Sequence, residues 1–391
     1  MATRTEVTTG LRPRAITWPR SLIAALPAWF LARALLLATF ALARQRHQAP
    51  TLQIWDAGWY RDLGVHGYGP YGATGSRFFP LLPAIVRIGH AMGLFAPAWL
   101  LAVCWVAALL FAAALHRLTL LETGDEAAAV RAAWLIQLVP GANVLGVGYA
   151  EAVAGLLAVL YFLALRHRGD TAAGFAVGVL GGLVRPTGPL LAVAGAAQAV
   201  RSRLSGTTDD APVRARHRRD RAGDRARRWL GSGWRHATIL ALAPLVGTAG
   251  YLLWARARFG DALTPYRVQA ADDLRGGLVR APWRYLTHDS LGGYPWPLVL
   301  VLLAVTAVAL VLCATRLPVA YIAWSLPMVG LAVTAWGLHS LPRYVAAVFP
   351  LWMVVAVVCR NRFVWPAVVA VSAAGFAWVA YLNFVPGGPV P

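Results

Sequence analysis

The chain has 391 residues, of which 59% are apolar and only 13% charged, against roughly 25% charge in an ordinary soluble domain. So few charges leave no polar coat for a water-facing surface, and the composition, with its net charge of +20, excludes disordered, collagen-like and disulfide-stapled classes. All basic residues are arginine, and Cys104, Cys313 and Cys359 sit inside apolar runs, so neither a disulfide framework nor a metal knuckle is indicated.

An all-α, polytopic membrane protein remains. A crossing helix needs about 20 mostly apolar residues. After an N-terminal tail, 1–20, the first span is 21–43, interrupted by Arg33; its length and that central charge argue against a cleaved secretory signal. A loop over 44–77 follows. The stretch 78–93 carries two prolines and Arg87 and reads as an interfacial segment. Residues 97–115 form the next span. The apolar runs 128–166 and 172–200 are too long for one helix, and Pro140-Gly141 and Arg185-Pro186-Thr187-Gly188 interrupt them. Each is therefore expected to be a hairpin of two short spans. Further spans are expected at 237–255, 296–315, 317–336, 344–359 and 363–383, giving about eleven in one transmembrane domain, 21–391.

Charge placement orients the chain. Eleven arginines crowd 201–235, whereas the two long loops 44–77 and 256–295 carry four and six. The positive-inside rule puts the N-terminus and the 201–235 loop in the cytoplasm. That basic loop is expected to be solvated and to touch anionic lipid headgroups. Only Trp229 and Trp234, at its C-terminal end, lie among its arginines, so a nucleic-acid partner is not expected.

In this topology the polar residues within apolar surroundings fall on one outer side. They are Trp55-Asp56-Ala57-Gly58-Trp59-Tyr60, Tyr149-Ala150-Glu151, Arg185, and His339-Ser340-Leu341-Pro342-Arg343-Tyr344. Charges at membrane depth usually line a functional cavity or pair with one another, and both readings stay open for Glu151, Arg185 and Arg343. Asp56 lies between two tryptophans, a partly desolvated setting suited to a general base. Tryptophan and tyrosine faces are what sugar rings stack against, although an interfacial aromatic belt uses the same residues.

The first of these stretches reads Trp55-Asp56-Ala57-x-x-Tyr60-x-x-Leu63-x-x-x-Gly67-Tyr68, and Phe78-Phe79-Pro80-Leu81-Leu82-Pro83 follows it. It resembles the PIG-V type family, the second GPI mannosyltransferase and its bacterial relatives. Tyr149-x-Glu151-Ala152 and Arg185-Pro186-Thr187-Gly188 are similar to two later motifs of that family, and Phe259-Gly260-Asp261 and Arg343-Tyr344 with Phe349-Pro350 are weaker echoes. The similarity runs from about residue 50 to 350. The resemblance implies a bacterial GT-C type glycosyltransferase of the plasma membrane. Such an enzyme has an acidic first outer loop and takes sugar, most simply mannose, from a polyprenyl-phosphate carrier that is a substrate and not a cofactor. Leu63, Ala150 and Pro186-Thr187 depart from the family pattern and bear on the acceptor, which is a glycan, a lipid or a protein.

The chemistry such a transfer needs assigns roles. Asp56 would act as the base; Arg185 and Arg343, with His339, would bind the leaving phosphate; Glu151 would orient one arginine. Trp55, Trp59, Tyr60, Tyr68 and Tyr149 would line the substrate. No Asp-x-Asp pair occurs in the first loop, so no metal is required by the sequence. Asp62 need not lie near Asp56, and Asp272-Asp273 reads as solvated. The loop 256–295, with Tyr266, Trp283, Arg284 and Tyr285, would be a lid or acceptor wall. Transfer of arabinose, glucose or galactose, a transporter or flippase, and an inactive envelope partner are the competing readings.

Overall fold

The computed structural model describes residues 17–47, 51–167, 170–205, 223–271, 294–334, 338 and 340–389. Among the described residues every regular element is a helix. In chain order these are α1 (Trp18–His47), α2 (Asp56–His66), α3 (Leu81–Ala91), α4 (Ala96–Thr123), α5 (Glu126–Leu138), α6 (Glu151–His167), α7 (Thr171–Val184) and α8 (Leu191–Ser205). They continue as α9 (Gly223–Phe259), α10 (Thr264–Ala271), α11 (Trp296–Arg316), α12 (Val319–Thr334), α13 (Leu341–Ala347), α14 (Phe349–Val358) and α15 (Val364–Phe384), with short helical turns between them.

Length and composition make five of these able to cross a membrane: α1, α4, the Gly233–Phe259 part of α9, α11 and α15. The pair α13 and α14, bent by 67° at Val348, makes a sixth if taken as one span. The chain is an integral membrane protein on this ground. The expectation of eleven spans depends on five shorter helices also crossing. These are the hairpin arms α5 to α8, of 13, 17, 14 and 15 residues, and α12, of 16. All five fall below the roughly 20 residues of a full crossing.

Both hairpins break where proline demands it. The residue before a proline is pushed out of the helical region, and Val139 (φ −62°, ψ 149°) and Arg185 (φ −153°, ψ 158°) are both extended. The stretch 78–93 holds the 11-residue α3, with Pro83 in its first turn, where proline removes no needed donor. This helix packs on α2 and does not stand alone.

Small residues set the helix spacing. The α7–α8 hairpin lies on α9, and a Cβ added at Gly182 or Gly247 would come within 2.1 Å of the carbonyl oxygens of Pro244 and Val179. Such close backbone approach is how helices associate where lipid supplies no hydrophobic drive. α1 packs against α4, α5 and α15. At one end of the bundle Glu122 of α4 joins three further helices. It pairs with Arg166 of α6 (2.9 Å), which also donates to Gln198 of α8 (3.2 Å), and it accepts from Tyr321 of α12 (2.9 Å). The other end carries the candidate site.

Candidate functional site

The site is a row of alternating charges assembled from four separate segments. Asp56 is the first residue of α2, where the helix N-terminus favours a carboxylate. Its Oδ2 accepts from Arg343 Nη1 at 2.7 Å. Arg343 Nε lies 3.6 Å from Glu151 Oε1, and that oxygen is 2.5 Å from Arg185 Nη1. Exposure falls inward along the row, from 29% for the Asp56 side chain to 12% for Arg343 and 2% for Glu151. Asp56 is the rim and Glu151 the buried link between two arginines.

Aromatic rings hold the row from both sides. Tyr149 lies beneath Arg343, 5.5 Å from ring centroid to guanidinium, and its hydroxyl accepts from the Asp56 amide at 3.4 Å. Tyr344 flanks both cations, at 5.3 Å from Arg343 and 5.2 Å from Arg185. Such cation–π contacts keep guanidinium planes in place without consuming their donors. Tyr60 is buried within the field of Asp56, Glu151, Arg185 and Arg343. Burial pushes its phenol well above the ordinary tyrosine range.

Local backbone geometry makes the approach possible. Gly141, at φ +89°, is so close to α13 that a Cβ would sit 2.2 Å from the Pro342 carbonyl oxygen, next to Arg343. Gly148, at φ +93°, would place a Cβ 3.0 Å from that of Ala57, next to Asp56. Glycine adopts such angles without a Cβ penalty, and at Gly141 a Cβ has no room. Trp55 also has positive φ (47°) and is 52% exposed at the rim, a strained backbone of the kind found at functional sites.

The structure therefore brings together Asp56, Tyr60, Tyr149, Glu151, Arg185 and Arg343, with Trp55 beside them. Trp59 and Tyr68 belong to a neighbouring aromatic layer. Trp59 stacks on Phe78 (5.3 Å) beneath Arg77, while Tyr68 donates to the Phe78 carbonyl (2.7 Å) and packs on Trp254. Asp62 pairs with Arg61 at 2.7 Å. Tyr266 donates to the Pro186 carbonyl (3.1 Å), so α10 touches the break that carries Arg185. His339, Trp283, Arg284, Tyr285 and Asp272-Asp273 lie outside the described residues, as do 206–222 of the basic loop. Among the described residues no group of three or more His, Cys, Asp or Glu side chains gathers as a metal ligand set.

Two features escaped the sequence reading. Tyr344 stood in a motif but carried no role, although it is the ring shared by both arginines. Beside Arg185 opens an apolar recess of about 40 Å³, lined by Gly155, Val184, Leu191, Trp324 and Met328. Its walls come from three hairpin segments and α12, a combination no local pattern announces.

No protein-family model matches the chain, and no curated protein matches it in sequence. Solved structures of the Archaeoglobus fulgidus oligosaccharyltransferase do. The AglB complex with an inhibitory peptide and a dolichol-phosphate is 16% identical, with a TM-score of 0.44, over 92% of this chain and 56% of that one. The complex with zinc and sulfate is also 16% identical, with a TM-score of 0.46, over 91% and 54%. The chain spans about half the length of the structures it matches. At this identity and TM-score the likeness is loose and says nothing of substrate.

Proposed function

We propose that the protein is an integral membrane glycosyltransferase of GT-C type, transferring a sugar with inversion from a polyprenyl-phosphate donor. The acceptor is a glycan, lipid or protein hydroxyl on the extracytoplasmic face of a bacterial plasma membrane. The observation that carries the reading is the ionic row at the end of an apolar bundle, with the carboxylate of Asp56 on the rim and the largely buried Arg343 and the buried Arg185 behind it. Charges at this depth line functional cavities far more often than lipid-facing surfaces. The motif resemblance to the PIG-V family supports mannose as the sugar.

The chemistry follows from where each group sits. An acceptor hydroxyl attacks the anomeric carbon from the face opposite the phosphate, and Asp56 takes its proton. The carbon–oxygen bond to the lipid phosphate breaks, and the phosphate leaves with the electron pair. Arg343 and Arg185 meet the charge that develops there, since guanidinium binds phosphate oxygens in bidentate fashion. Glu151 holds the two cations at fixed separation, and the exposed Trp55 offers an apolar face to the sugar. Arg343 donates to Asp56, so a donor phosphate that competes for Arg343 would free the base.

Transfer of radiolabelled sugar from polyprenyl-phosphate-mannose by purified protein tests the reading, with the Asp56→Asn variant as control. Loss of product in the variant is expected. Undiminished transfer by the variant removes Asp56 as base, and product from a glucose or arabinose donor alone replaces mannose while keeping the mechanism.

A further inference from the structure

Arg33 lies in the middle of α1, a membrane-length helix, and is 5% exposed. A cation at this depth is costly and is seldom retained without a task. Among the described residues no carboxylate pairs with it. Its Nη1 donates to Gln137 Oε1 at 2.5 Å and its Nη2 to the Leu145 carbonyl at 3.0 Å, while Nε has no partner. Gln137 is itself fixed by donating to the Ala108 carbonyl at 2.8 Å.

Leu145 belongs to the break between α5 and α6. Every residue from 141 to 150 is buried, yet the break is not a continuous α-helix, so its carbonyls lack the usual intrahelical donors. In a membrane such groups must be satisfied by protein. Side chains of α1 and α4 do this in register. Arg33 caps Leu145, Trp105 Nε1 caps Gly146 at 2.8 Å, and Cys104 Sγ caps Tyr149 at 3.3 Å. Trp29 Nε1 in turn donates to the Trp105 carbonyl at 2.9 Å, and its ring lies 5.5 Å from the Arg33 guanidinium. The segment so fixed delivers Tyr149 and Glu151 to Arg343.

We propose that Arg33 is a positioning residue for the ionic row: braced by Gln137, it holds the Leu145 carbonyl and so sets the placement of Tyr149 and Glu151 against Arg343. What the guanidinium adds over an apolar residue is its two fixed donors. The kinetic consequence rests on the transferase reading; the structural one does not.

The test uses the full-length protein in lipid nanodiscs with Arg33→Met, Arg33→Lys and Gln137→Leu. Amide exchange over 142–150 is expected to quicken by about tenfold or more in Arg33→Met, with 186–190, the other hairpin break, unchanged. The kcat for sugar transfer should fall by about tenfold or more, since small misplacements of reacting groups are costly. Arg33→Lys should recover part of both, and Gln137→Leu should reproduce both in milder form. Unchanged exchange over 142–150 overturns the proposal, as does equal quickening at both breaks or a loosened segment with unchanged kcat. If the wild-type protein transfers no sugar, the transferase reading fails and the exchange measurement decides on Arg33 alone.

Discussion

Asp56 and Arg343, 287 residues apart in sequence, meet in a hydrogen-bonded ion pair of 2.7 Å. The pair closes the bundle end by joining the N-terminus of α2 to the bent pair α13–α14. In the proposed mechanism these are the base and a phosphate-binding cation, so the pair couples the two roles. Replacing Asp56 by Asn keeps an acceptor for Arg343 but removes the proton-accepting carboxylate. Transfer should fall by about 10²- to 10⁴-fold, the usual contribution of general-base catalysis, while thermal unfolding in detergent changes little. Radiolabel transfer and a melting curve on the same preparation check both halves.

Glu151→Gln should behave in the opposite way. Its carboxylate lies between Arg343 and Arg185 at 2% exposure, and removing one partner of a buried ionic set costs about 3–5 kcal/mol. A marked drop in melting temperature is expected, larger than that of Asp56→Asn. Equal melting curves for the two variants would contradict the inward gradient of burial.

Arg185→Lys keeps the charge but loses the planar fork. Donor KM should rise about tenfold or more, a change equivalent to about 1.4 kcal/mol, with a smaller effect on kcat. Steady-state kinetics at saturating acceptor separates the two constants.

Gly141→Ala forces a Cβ toward the Pro342 carbonyl at a positive φ. Strain of this kind costs about 1–3 kcal/mol, and relief requires moving the backbone beside Arg343. Both stability and transfer should fall together, which unfolding and activity assays on one sample detect.

Tyr321→Phe removes the hydroxyl that donates to Glu122 at the far end of the bundle. The expected cost is about 1.5–3 kcal/mol of stability, the range for a hydrogen bond to a charged group, with transfer rates unchanged. A fall in activity without a fall in stability would show that the two ends communicate.

How much of this was legible beforehand depends on the range of the interaction. The long apolar stretches gave α1, in spite of Arg33, and α4, α9, α11 and α15, because a span is a local property of about 20 residues. The breaks at Val139 and Arg185 were legible because proline acts on its immediate neighbour. The motif stretches singled out Asp56, Glu151, Arg185 and Arg343, but not that Glu151 would link both arginines or that Tyr344 would serve both. Those are contacts across the whole chain. Trp59 and Tyr68, expected to line the substrate, pack on Phe78 and Trp254, contacts between distant rings that no local motif announces. Arg33 was visible only as an interruption, for its partners come from α5 and the break beyond it.

The division of the row among four segments has a cost during biosynthesis. Arg185 emerges from the ribosome only 34 residues after Glu151 and can neutralise it early. Asp56, by contrast, must wait for a further 287 residues before its counter-ion arrives. A nascent chain halted ahead of α13 would leave Asp56 at the end of the bundle without its counter-ion.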